Sequence, residues 1–271
     1  MTKREGISIT ASSVTVTMVL AAIIELPVQV VSFWVFGTRV EVFVTQFWWI
    51  GGLAVALAAA GAVSVAAVPV GSESLRLESR WTRAGLPAAA VVVGFTALPA
   101  FLGSTLATFA AALGTGLILA AVLWLQNRAA RSEAESRVIP WVLRTAAYAL
   151  ALVLFPAIYG LKVRSLLSAS AIALASGALG LEILRNETAP RRVWLYGGMI
   201  GLLMGELAWA LNYWGVTGVA GGMALFLSYY LVTSLARRQL RGMLRKAALI
   251  EFSLVALAGI VGLGAAFSWS W

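Results

Sequence analysis

Long apolar stretches divide this chain, and its positive charges occupy every second gap between them. Seventeen of the twenty Lys and Arg residues fall in alternate gaps: Lys3 and Arg4; Arg76, Arg80 and Arg83; Arg128, Arg131, Arg137 and Arg144; Arg185, Arg191 and Arg192; and Arg237, Arg238, Arg241, Arg245 and Lys246. Only Arg39, Lys162 and Arg164 lie in the other gaps. Chains that cross a bilayer keep their basic loops on the cytoplasmic side, so this alternation selects a polytopic membrane protein and orients it.

Composition agrees. Hydrophobic residues make up 61% of the chain and charged residues 11%, whereas a soluble domain is nearer half apolar and a quarter charged. The 271 residues read as one transmembrane domain, residues 1–271. A formal charge of +9 raises nucleic acid as a partner, but the basic residues sit in short loops between apolar spans. That arrangement points instead to topology and to contact with membrane lipid, including anionic lipid at the inner face.

The chain has no Cys, no His and no Asp. Disulfides, thiolate nucleophiles, the commonest metal ligand and the usual general base are therefore excluded. No Ser–Lys or Ser–His pair falls at mid-depth, so no catalytic constellation is visible and the chain is not read as an enzyme. No metal or cofactor is expected, although a lipid or carotenoid held non-covalently between helices fits the same composition.

About twenty residues cross the hydrocarbon core as a helix. Nine spans are expected, at roughly 12–36, 45–70, 84–101, 104–126, 138–160, 164–184, 193–214, 216–236 and 246–268. The third and fourth form one apolar run, split where Pro99, Gly103 and Ser104 supply turn chemistry. The predicted fold is an all-α polytopic bundle in the plasma (inner) membrane, with its amino terminus inside and its carboxyl terminus outside. The first span is too long for a cleaved signal peptide and contains Glu25 and Pro27. On the seventh span, Gly197, Gly201 and Gly205 recur every four residues, a spacing that lets another helix approach closely.

An ionisable side chain deep in a bilayer is expensive and generally functional. Glu25 and Glu206 are the two carboxylates expected near mid-membrane, at matching depth below the outer tryptophans if both spans are continuous helices. Pro27 would kink the first span and free a carbonyl, with Gln29 one turn beyond Glu25. Glu206 shares a face with Tyr213, and Asn212 adds a polar group towards the outer mouth. Glu25, Gln29, Glu206, Asn212 and Tyr213 are thus candidates for ion or proton coupling. Glu187 reads as a partner in weak surface pairs, and Glu182 as a local partner of Arg185 at i+3.

The stretch Glu206-Leu-Ala-Trp-Ala-Leu-Asn-Tyr-Trp214, the basic loop Arg237-Arg238-Gln-Leu-Arg241 and the pair Glu251-Phe252 resemble the carboxyl-terminal part of uncharacterised bacterial multipass membrane families. That likeness covers the last quarter of the chain and implies no activity. Two functions are carried forward. One is a carrier or permease with carboxylate-mediated proton or cation coupling. The other is a non-catalytic subunit of a larger membrane complex, holding lipid or pigment between helices, with other membrane subunits or further copies of itself as partners.

Overall fold

The computed structural model describes residues 3–24, 27–35, 38–44, 46–66, 80–98, 104–131, 138–161, 165–185, 187, 190–214, 216, 218–243, 254 and 261. Among these residues the fold is a helical bundle with one β-hairpin. The elements are α1 (Lys3–Ile23), β1 (Gln29–Val35), β2 (Thr38–Val44), α2 (Gln46–Val65), α3 (Gly85–Ala97), α4 (Thr105–Arg131), α5 (Val138–Gly160), α6 (Ser165–Leu184), α7 (Pro190–Asn212) and α8 (Gly218–Leu240). Seven of the helices are long and apolar enough to cross a membrane, and α3 is shorter. With 13 residues, α3 reaches about 20 Å at 1.5 Å per residue, short of a full hydrocarbon core.

Seven of the nine expected spans overlap helices long and apolar enough to cross a membrane, and the third, 84–101, holds only the shorter α3. The helices flanking the Pro99–Ser104 split end at Ala97 and restart at Thr105. The ninth span, 246–268, lies almost wholly outside the described residues. The first span needs correction. Helix α1 stops at Ile23 instead of running to Phe36, and the chain enters an antiparallel hairpin in which Gln29 faces Val44 and Val35 faces Thr38. Two local causes act together. Pro27 offers no N–H and disfavours the helical conformation of the residue before it. Beyond it, Val28, Val30, Val31 and then Val40, Val42 and Val44 are β-branched residues that favour extended backbone.

Contacts across the bundle define its two ends. Gln126, late in α4, reaches Arg83 just before α3 and Glu182 late in α6. Glu187, between α6 and α7, joins Arg144 early in α5 and Arg237 late in α8. These residues share one end, which is rich in arginine. At the other end, the Tyr159 hydroxyl donates to the Leu211 carbonyl at 2.9 Å, and Asn212 Nδ2 donates to Ser168 Oγ at 3.0 Å.

Two apolar cores fill the bundle. One joins α1 and α2 to α3 and α4 through Val14, Met18, Ala54, Ala58, Val91, Phe95 and Leu119. The other joins α3 and α4 to α5–α8 through Leu86, Leu143, Phe155, Leu179, Ile200 and Tyr229. Short α3 contributes to both, as does α4. The most extensive helix pair is α6 on α7. There a Cβ added to Gly201 would sit 2.7 Å from the Ala173 carbonyl oxygen, so only glycine permits this approach. Gly197 and Gly205 face Leu181 and Ala173 of the same partner helix.

Candidate functional site

At the arginine-rich end, two carboxylates organise their neighbours, Glu182 in the last turn of α6 and Glu187 in the turn that follows it. Glu182 is 4% exposed. Its Oε2 accepts from Gln126 Nε2 at 2.8 Å and from Arg185 at 3.2 Å, while Oε1 lies 3.2 Å from Arg185 Nη2, at ion-pair distance but without hydrogen-bond geometry. The same Gln126 amide donates to the Arg83 carbonyl at 3.1 Å, so one side chain links α4, α6 and the turn before α3. A carboxylate this buried requires such partners, because an unpaired charge away from water is costly.

Glu187 gathers three guanidinium groups. Arg144 Nη2 lies at 3.2 Å, Arg237 Nε at 3.1 Å and Arg241 Nη2 at 2.9 Å. Its carboxylate side chain is only 3% exposed. Burial alone would raise its pKa, but Arg241 and Arg237 outweigh that and hold it below the usual carboxylate value. Arg241 is correspondingly pushed up, chiefly by its hydrogen bonds to Glu187. One acid among three bases leaves this cluster positive. The expectation of weak surface pairing for Glu187 misses this convergence, because Arg144 and Arg241 are distant in sequence.

Deeper along the α5–α8 seam, the Tyr148 hydroxyl meets Thr233 Oγ1 at 3.0 Å. The Tyr229 ring stacks edge-on against Tyr148 and Phe155, and its hydroxyl is buried without a partner. On the outside of α5, Val138, Trp141, Val142, Thr145, Ala146 and Ala149 form an open apolar strip along one helix face.

The residues expected to couple ions are dispersed. Glu25 lies outside the described residues. Gln29 begins strand β1 and is exposed, so it does not stand one helical turn from Glu25, and depth counted along a continuous first helix no longer applies. Glu206 lies in the last third of α7, six residues before its end, and points away from the bundle, on the exposed stripe of Leu195, Met199, Leu202 and Trp209. Tyr213 is exposed and its hydroxyl accepts from Trp209 Nε1 at 3.1 Å. Asn212 is tied to Ser168 instead of facing Glu206. Helix α1 packs on α2 and α4 while α7 packs on α6 and α8, and among the described residues α1 and α7 share no substantial contact.

Among the described residues, no group of three or more potential metal ligands comes together. The arrangement is one of ion pairs and packing. Its sequence is the remaining source of kinship. The profile of a family described as "Protein of unknown function (DUF5656)" matches residues 26–265. The chain belongs to the DUF5656 family. That match takes in both strands of the hairpin, the glycine contact of α6 with α7 and both ionic clusters, well beyond the last quarter where the resemblance was noted. No protein of curated function and no solved structure matches this DUF5656 chain.

Proposed function

We propose that this DUF5656 protein is a non-catalytic subunit of an integral membrane assembly, docking on a partner helix through the outer face of α7. In this reading it spans a bacterial plasma membrane nine times, with its arginine-rich end in the cytoplasm. Glu206 carries the proposal. It stands in the last third of α7, six residues before the helix ends at Asn212, on the exposed stripe formed by Leu195, Met199, Leu202 and Trp209. An acidic side chain costs about 3 kcal/mol at the centre of a membrane helix on insertion scales, less towards an end, and usually faces protein or water. A partner helix that offers a hydrogen-bond donor removes that cost. Gly198, one of the small residues on the same side, has open space where a Cβ would be and admits close approach. The apolar strip on α5 offers a surface along which an acyl chain or carotenoid could lie at the rim of the assembly.

Purification in a mild detergent tests the proposal. The chain should elute with a stoichiometric membrane partner, either another protein or a second copy, and Glu206→Leu should release it. A wild-type chain that elutes as an unaccompanied monomer from native membranes counts against it.

A second reading, a carrier, draws on the Glu187 cluster. Its ion pairs join α5, the α6–α7 turn and α8 at one end of the bundle. Pairs so placed separate and re-form when one helical group rocks against another in alternating access. Flux in liposomes that disappears in Glu187→Gln while the protein stays folded would favour this reading over the first.

A further inference from the structure

Among the described residues, the Glu182 cluster holds more guanidinium groups than carboxylates. Arg185 engages both oxygens of Glu182, and Gln126 takes the remaining hydrogen-bonding capacity of Oε2. Arg83 is only 8% exposed, yet its Nε and Nη1 are buried and reach no acceptor. Arg80, one turn earlier and joined to it by the Arg83 N–H···O=C Arg80 hydrogen bond at 3.1 Å, has a buried Nε in the same state. Two arginines therefore hold unused donors beside a cluster in which, among the described residues, one acid faces three guanidinium groups and leaves its Oε1 at ion-pair distance from Arg185 alone. Burial first, and then the charge of Arg185, draw the Arg83 pKa down to about 10, with Glu182 pulling it back. It remains a cation at neutral pH.

The surroundings suit a small anion. No side chain caps the amino end of α3, which begins two residues after Arg83. Helix amino ends carry partial positive charge, which favours an anion nearby, and this one is buried with Gly85 packed against the Ala178 carbonyl of α6. Trp81 is half-exposed next to Arg80, and Arg128 lies 5.2 Å over the Trp124 ring at the end of α4. Aromatic rings of this kind settle at headgroup depth. A guanidinium fork matches the paired oxygens of a phosphate better than an ammonium would.

We propose that Arg83 and Arg80, at the junction of α3, α4 and α6, form a binding site for a phosphate-bearing anion. The phosphate is supplied by an anionic lipid headgroup or by a free phosphate compound. Its negative charge offsets the surplus guanidinium and uses the idle donors, as basic pockets between membrane helices do for anionic headgroups. This site is independent of the docking face on α7, so either can fail without the other.

Thermal unfolding of the purified full chain tests it in three arms: phosphatidylglycerol, phosphatidylcholine and inorganic phosphate. A lipid site gives a Tm rise of about 5 °C with phosphatidylglycerol over phosphatidylcholine, and none with inorganic phosphate at about 10 mM. A free-phosphate site gives the rise with inorganic phosphate. In either case Arg83→Gln abolishes the shift, while Arg191→Gln, at an exposed position in the first turn of α7, keeps it. If Arg83→Gln does not fold, Arg80→Gln decides, with an expected loss of apparent affinity of about tenfold. Absence of a rise in every arm overturns the site, as does an unchanged shift in the variant that folds.

Discussion

Gln126 and Glu182 meet through a buried hydrogen bond of 2.8 Å between α4 and α6, although 56 residues separate them in sequence. The same amide holds the Arg83 carbonyl, so three segments depend on one neutral side chain. Gln126→Leu would leave a buried carboxylate oxygen and a carbonyl without that donor. The expected loss is about 1–3 kcal/mol, measured by unfolding in detergent. An unchanged midpoint would show that the amide is not a tie between helices.

The Glu187 cluster predicts a direction of pH dependence. Its folded pKa lies below the ordinary value of 4.5. The stabilisation is therefore fully present above about pH 4.5, where the unfolded carboxyl is also ionised, and is lost as pH falls through the depressed folded value. Wild-type stability should hold from neutrality down to that point and then decline. Glu187→Gln should lower stability at neutral pH and flatten the acid limb; an acid limb identical to wild type would assign the titration elsewhere.

Two glycines on α7 should respond in opposite ways. Gly201→Leu drives a side chain into the Ala173 carbonyl, 2.7 Å from the first added atom, and should separate α6 from α7 at a cost of roughly 2 kcal/mol or more. Gly198→Ala meets open space and should stabilise the helix by about 0.5–1 kcal/mol. Detergent unfolding midpoints of the two variants check this pair directly.

The proposed orientation is open to labelling, and the cysteine-free chain makes single-cysteine probes clean. Arg238→Cys, at the end of α8, should react only from the cytoplasm. Tyr213→Cys, exposed beyond the far end of α7, should react only from outside. Reaction of both from one side would remove the alternating arrangement.

The helices were legible because spans near twenty apolar residues, Pro99 and Gly103, and the basic gaps all mark the same boundaries. The hairpin was also written in the sequence. Thr38-Arg-Val-Glu-Val-Phe-Val44 alternates around Gly37, but strong hydrophobicity on both sides makes it read as an extension of a helix. The outward direction of Glu206 was not legible. Placing Gly197, Gly201 and Gly205 against α6 fixes the rotation of α7, and Glu206 follows on the other side. A glycine stripe shows that something packs there without saying which helix does. The convergence of Arg144, Arg237 and Arg241 on Glu187 likewise depends on which helix ends adjoin, information that no local spacing carries.

The docking face of α7 is tested most directly by a photo-crosslinker attached to a single Leu202→Cys, one turn from Glu206, and activated in native membranes. The account predicts one protein adduct of discrete mass, from a partner subunit or a second copy, that is lost when Glu206→Leu is added. Reaction with lipid alone, with the chain recovered as a monomer, would contradict it.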